Sequence, residues 1–277
     1  MSQVSALMSP SDTRARRFPG RRPQPLSADP LPVTNATGPA SAGQEHPATT
    51  PGTQAALGDG LARLGIPLAP AVQESLLHYL ALLAKWNRVY NLSAIRDPAQ
   101  MLTHHLLDSL AALPVLRQDR LDGRGRPVSL IDVGAGAGLP GIPLALSWPM
   151  LSLTLAEPVG KKAAFLRQCV AELGLAHRVR VHAARVETLA TTDPPADLII
   201  CRAFASLRDF ALAVRHLVTP DTQVWAMKGR RPDAELEELP PDWRLADLRT
   251  LEVPSLDAQR HLLRLEPVAA LREEPSP

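Results

Sequence analysis

Aromatic residues make up only 4% of this 277-residue chain, and Cys169 and Cys201 are its only cysteines. So few aromatics exclude a surface built from many base-stacking side chains. Two cysteines in separate apolar runs exclude a disulfide framework and a cysteine-rich metal site, and they fit a reducing compartment. Both read as small core residues. No apolar run approaches the roughly 18 residues that a membrane span needs. The start of the chain has no continuous apolar segment of the secretory type, so a cytoplasmic protein is expected. Net charge is only +2, which excludes a strong whole-chain footprint for nucleic acid but leaves local basic patches open. What remains is an ordinary globular composition, 45% hydrophobic and 21% charged, in a chain long enough for one substantial domain with an appendage.

The appendage comes first. Residues 1–53 are rich in Pro, Ser, Thr, Gly and Ala without a sustained apolar period, so they cannot offset their ordering entropy and are expected to be disordered. Arg14, Arg16, Arg17, Arg21 and Arg22 form a small basic cluster there, either simply solvated or in loose contact with phosphate. An Arg-rich, acid-poor opening has the flavour of a transit peptide, but the prolines would break an amphipathic helix. Order is expected over 54–277. Within it, 54–117 reads as a helical cap: a helix through Leu57, Leu61 and Leu64, a second over Ala71–Asn87, and a third from Pro98 to Leu113, ended by Pro114.

The stretch Leu130-Ile131-Asp132-Val133-Gly134-Ala135-Gly136-Ala137-Gly138-Leu139-Pro140-Gly141 organises the rest. Val128–Val133 is a short branched-residue run and reads as a buried strand. The glycines let the chain turn and bring bare backbone close to a ligand. Pro140 suits the first turn of a helix. Strand, glycine turn and helix start together describe a nucleotide-type site at the carboxyl edge of a parallel sheet. Gly136, Gly138 and Gly141 can be fitted to the dinucleotide fingerprint, so a nicotinamide-dependent oxidoreductase competes. Against it, the first glycine after the strand is Gly134, and Asp132 would set a like charge against pyrophosphate. A cationic ligand suits that carboxylate better, which favours S-adenosylmethionine.

Beyond the turn, strands and helix-length segments alternate. Strands are expected at Leu151–Ala156, Val179–His182, Leu198–Cys201 and Gln223–Lys228, with a closing pair at Trp243–Val253 and Arg260–Leu265. The fold class is therefore α/β, a doubly wound Rossmann-like sheet over 126–267. Ligands in such sheets lie beyond the carboxyl ends of the strands. Glu157 ends one strand, where a carboxylate accepts hydrogen bonds from ribose hydroxyls. Val186 and Glu187 stand where an adenine ring would sit. Arg202 ends another strand, either touching the ligand or paired with Asp197 or Asp209. Lys228 faces the cleft as a cation suited to a phosphate or an electron-rich base. His104, His105 and Asp108 invite a metal reading, but a further ligand is lacking, so no metal is expected.

Trp86-Asn87, Tyr90-Asn91-Leu92-Ser93, His105-Leu106-Leu107-Asp108-Ser109, the glycine turn, Gly160-Lys161-Lys162, Arg202-Ala203-Phe204-Ala205-Ser206 and Leu256-Asp257-Ala258-Gln259-Arg260-His261 occur in that order. Together they closely resemble the bacterial small-subunit ribosomal RNA guanine-N7 methyltransferases, the RsmG or glucose-inhibited division protein B family. The resemblance runs from about Gln54 to Pro267. It implies an enzyme that transfers a methyl group from S-adenosylmethionine to a guanine in the decoding-centre loop of 16S ribosomal RNA, nucleotide 527 in 16S numbering. It implies donor contacts at Gly134, Leu139, Val186, Glu187 and Arg202, to which Asp132, Gly136 and Glu157 are added from the strand-end reading. The partner implied is the small ribosomal subunit, met by a monomer away from membranes. His104 departs from the family's usual Arg, replacing a fixed guanidinium charge by an imidazole.

Guanine N7 carries a lone pair and no proton, so its attack on a sulfonium methyl needs no general base. No acid–base residue is expected, and alignment would carry the rate. Arg185, Arg202 and Lys228 are the candidates for positioning the guanine or its phosphates. A non-catalytic RNA-binding protein on the same fold is the second competitor, weakened by modest charge and few aromatics.

Overall fold

The computed structural model describes residues 50–118, 127–192 and 194–268. Most of the expected disordered tail, including its arginine cluster, lies outside the described residues. Order begins earlier than the apolar pattern suggests. Helix α1 (Pro51–Arg63) is capped by the Thr50 hydroxyl, which accepts from the Thr53 N–H, with Pro51 in the first turn. Helix α2 (Pro70–Tyr90) runs three residues beyond Asn87 and stops where Asn91 turns left-handed at φ 49°.

The third helix is not continuous. It is built from α3 (Pro98–Met101), a π-helical stretch Leu102–Leu107, and α4 (Asp108–Leu110). Pro114 does not end it. That proline sits in the first turn of α5 (Leu113–Gln118), where a missing N–H costs nothing.

The sheet follows in the order β1 (Val128–Val133), β2 (Leu151–Ala156), β3 (Val179–His182), β4 (Leu198–Arg202), β5 (Gln223–Lys228), β6 (Trp243–Thr250) and β7 (His261–Pro267). Its spatial order is β3-β2-β1-β4-β5-β7-β6, with the first five strands parallel. β7 runs antiparallel between β5 and β6, so the closing pair departs from an all-parallel sheet. The helices between the strands are α6 (Gly141–Ser147), α7 (Gly160–Glu172), α8 (Leu207–Val214) and α9 (Asp233–Glu237).

Strand order reverses between β1 and β4, which opens a crevice at their carboxyl ends. Side chains of β4 alternate between two cores. Leu198 and Ile200 pack on the side of the cap, α6 and α7, and Ile199 and Cys201 on the side of α8. That period of two sends Arg202, like Ile200, towards the cap. Both cysteines are buried, and burial pushes both thiols up. No helix among the described residues is long and apolar enough to cross a membrane.

Candidate active site

The glycine turn leaves β1 with Gly134, Gly136 and Gly138 at φ of 67°, 59° and 85°, a region that side chains resist. A side chain on Gly138 would collide with Ile142 and Leu166 at 2.6 and 2.9 Å. Two carboxylates hold the turn. Glu157, at the end of β2, is nearly buried, and its two oxygens accept from the N–H groups of Gly136 and Val159, each at 2.8 Å. Asp132 is fully buried under the turn, where one oxygen accepts from Gly141 N–H at 2.8 Å. Burial raises the Asp132 carboxyl to about 7, against the opposing pull of that N–H and of Arg202.

This corrects the expected role of Asp132. It does not stand on the cleft wall as an open counter-charge; it braces the helix start from beneath. The dinucleotide reading loses support for the same reason, because a carboxylate already fills the anion position at the start of α6. Leu139 and Val186 are buried beside the turn and in the 3-10 turn Val186–Thr188. Glu187 is paired with Arg185, which holds its carboxyl below the usual range.

On the side facing the cap, a cavity of about 380 Å³ opens at the ends of β4 and β5. Arg202, Lys228 and Arg260 reach it from the sheet, and His104, His105 and Asp108 from the cap. Asp108 is buried and binds two cations: Arg202 Nη1 lies 2.9 Å from one oxygen and Arg260 Nε 2.7 Å from the other. The expected Arg202 partners are elsewhere. Asp197 accepts from the N–H and hydroxyl of Ser129, and Asp209 sits at the capped start of α8. Lys228 is held by Glu235 at 2.7 Å, and the same carboxylate accepts from Leu207 N–H at the start of α8. Arg185 is not brought to this cavity; it is exposed with Glu187.

The π stretch sets the cap side. Its wider turn lets His104, His105 and Asp108 all face the cavity, and such turns recur at functional sites. His105 Nε2 lies 2.8 Å from the Ser93 hydroxyl, Ser93 N–H donates to Asn87, and Asn87 donates to the Ile95 carbonyl. His105 Nδ1 is buried and has no hydrogen-bond partner among the described residues. Burial, then Arg202, lowers its pKa to about 4, so the ring is neutral at pH 7.

The comparisons with known proteins bear on this arrangement of a glycine turn and a cation-lined cavity. The model of the GidB family, described as rRNA small subunit methyltransferase G, matches residues 72–263. This chain belongs to the GidB family. The protein named ribosomal RNA small subunit methyltransferase G in Burkholderia thailandensis is 50% identical over 216 residues, 77% of this chain and 91% of that protein. Its counterpart in Burkholderia pseudomallei is equally similar, over 90% of its own length. A solved methyltransferase from Leishmania major overlaps 68% of this chain and 83% of its own, at 18% identity and a TM-score of 0.47. Family membership rests on the first two comparisons.

Sequence reasoning missed three working residues of this family member. Arg260 is 152 positions from Asp108, and no spacing rule links them. Glu235 stands in the short helix α9, and no spacing rule marks it as the partner of Lys228. Tyr79 was passed over because the apolar stripe of α2 did not need it, yet its hydroxyl reaches Ala137 in the glycine turn.

Proposed function

We propose that this protein transfers the methyl group of S-adenosylmethionine to N7 of a guanine in the decoding-centre loop of 16S ribosomal RNA, at nucleotide 527 in 16S numbering. The observation that carries the reading is the Arg202–Asp108–Arg260 cluster, which lines a base-sized cavity beside the glycine turn. Family membership supports the substrate class.

The residues present suit the donor. The left-handed glycines leave bare backbone at the crevice, and an added Cβ at Gly134 would come within 3.6 Å of the Phe204 ring. Glu157 stands at the end of the neighbouring strand, where it can take ribose hydroxyls on lone pairs left by its two amide bonds. Gly134, Gly136, Leu139, Val186, Glu187 and Arg202 complete the donor wall, with Asp132 bracing it from behind. When bound, the donor supplies an electrophilic methyl carbon on a sulfonium.

The protein's own part is alignment. N7 has no proton to remove, so no side chain needs to act as a base, and correct placement is worth about 7–11 kcal/mol in well-oriented systems. Arginine commonly grips guanine through O6 and N7 together. Here that grip would block the reacting atom. Asp108 restrains the forks of Arg202 and Arg260, leaving their remaining N–H groups for O6 or phosphate. With Asp108 included, the three carry a net charge of +1, which favours RNA. The guanine must leave its stack to enter. The chain divides on this reading into a cap over 54–117 and a donor-binding sheet over 126–267, after a tail over 1–53.

The test is methyl transfer from labelled S-adenosylmethionine to small subunits lacking N7 methylation, followed by mapping of the modified base. One N7-methylguanine in the decoding-centre loop is the expected product. Donor binding with no transfer to subunits or to naked RNA would sink the substrate assignment.

A further inference from the structure

We propose that the corner where the end of α2 meets the start of α7 docks the single-stranded ribosomal RNA that flanks the target guanine, an inference that rests on the function proposed above. The two helices pack antiparallel. His78 Nε2 lies 3.5 Å from Glu172 Oε2 at one end, and Trp86 lies 5.5 Å from Phe165 further along. One more turn of the same register sets Tyr90 opposite Lys161 and Lys162.

Six large apolar side chains are exposed among the described residues, and three of them, Val89, Tyr90 and Val159, belong to this corner. Exposed apolar residues scattered singly need no explanation; a group does. Tyr90 is already ordered, its ring 5.0 Å from Trp86, which is itself held by Phe165. A tyrosine fixed from behind and open in front is a stacking platform. Lys85 lies four residues before Val89 on the same helix face.

Charge identifies the occupant. Arg185, Arg202, Lys228 and Arg260 each hold a carboxylate. Lys85, Lys161 and Lys162 form no ion pair among the described residues. Free lysines around an aromatic face fit a polyanion with bases to stack, recognised without regard to sequence. Position agrees. Val159 and Gly160 lie two and three residues beyond Glu157, and Val159 N–H donates to its carboxylate, so the corner borders the donor turn at the same sheet edge. From Tyr90 the chain continues through Asn91–Ile95, pinned by Asn87, into the acceptor cavity that Ile95 lines. Five residues reach about 17 Å at most. A base on Tyr90 therefore lies a few nucleotides from a guanine in the cavity, where it would hold the strand while that guanine is unstacked.

The experiment titrates the full chain with small subunits lacking N7 methylation at several salt concentrations, and measures S-adenosylmethionine affinity alongside. Tyr90→Ala is expected to raise Kd for subunits about fivefold or more, the low end of one lost stacked base, while Tyr90→Phe stays close to the parent. A Lys161→Gln/Lys162→Gln double variant is expected to lower the slope of log K against log salt by about 1–2. Donor affinity should not change in any of them. Parent-like subunit binding by Tyr90→Ala, or an unchanged slope in the double variant, overturns the proposal. If Tyr90→Ala also loses donor affinity, misfolding is the cause and the lysine slope decides. A defect on subunits that is absent on protein-free 16S RNA would assign the corner to a ribosomal protein and overturn the RNA assignment. A parent chain that binds subunits but methylates nothing fails the proposed function instead, and the two failures are thereby distinct.

Discussion

Tyr79 of α2 donates its phenolic proton to the carbonyl of Ala137, 58 residues later, across 2.7 Å of buried space. Burial pushes the phenol well above its ordinary pKa, so the donor keeps its proton at any working pH. The bond ties the helical cap to the middle of the glycine turn. The cap thus reaches the glycine turn through Tyr79 as it reaches the two arginines through Asp108.

Tyr79→Phe keeps the ring and removes only the donor. The Ala137 carbonyl would lose its partner, a cost of about 1–3 kcal/mol for a buried polar group. The expected outcome is a lower unfolding midpoint and a KM for S-adenosylmethionine raised several-fold, with KM for subunits unchanged. A parent-like donor KM would mean that the turn holds its shape without the phenol.

Asp108→Ala would leave Arg202 and Arg260 beside each other with no counter-charge. Removing one partner from a buried ion pair typically costs about 3–5 kcal/mol. Denaturant unfolding should show a loss of that order, and methyl transfer should fall much further than donor binding. Asp108→Asn retains an acceptor and should fall between the two. If Asp108→Ala unfolds like the parent, the cluster is not what holds the cap to the sheet.

Asp132 and His105 make opposite contributions to stability against pH. Asp132 is raised from 3.8 to about 7, so the folded state binds its proton more tightly. Its contribution is full below about pH 4 and is lost as pH rises through 7. His105 is lowered from 6.5 to about 4. Its contribution is full above pH 6.5 and is lost as pH falls through 4. In the parent the two slopes partly cancel. Asp132→Asn should therefore expose a stability that climbs between pH 4 and 6.5, and His105→Gln one that declines between pH 4 and 7. Equal pH profiles in parent and both variants would rule this out.

Gly141→Ala tests the floor of the turn. An added Cβ would meet Asp132 Oδ2 at 2.7 Å and Leu155 Cδ2 at 2.8 Å, and Asp132 lies inside a paired strand with nowhere to retreat. Overpacking of this kind costs about 1–3 kcal/mol. Thermal unfolding should register it, together with weaker donor binding from the displaced turn.

Much of this was legible in the chain, and the exceptions share a cause. Short apolar runs located the strands of the buried sheet, and the longer, only partly buried β6 was found as one of a closing pair. Glu157 at the end of β2 was placed by its position after such a run. What escaped depends on partners distant in sequence. For Arg202 the sequence leaves open a ligand contact or an ion pair with Asp197 or Asp209, its near neighbours, whereas the sheet pleat turns it to Asp108 in the cap, 94 residues away. Asp132 was read as a ligand contact because a strand-end acid offers no sign of whether a helix start will cover it. The π stretch was invisible for a different reason, since the leucines of Leu102–Leu110 satisfy the ordinary helical period equally well.

The antiparallel course of β7 brings its first residues to the same sheet edge as the last residues of β4 and β5. Arg260 therefore lines the cavity at the ends of β4 and β5 although it is among the last described residues to be synthesised. Asp108 leaves the ribosome 152 residues earlier, which at about 5–20 residues per second is a wait of roughly 8–30 s. A nascent chain that already carries the cap and the glycine turn still lacks the second cation of its cluster. The Arg202–Asp108–Arg260 cluster is therefore complete only once the start of β7 has been made.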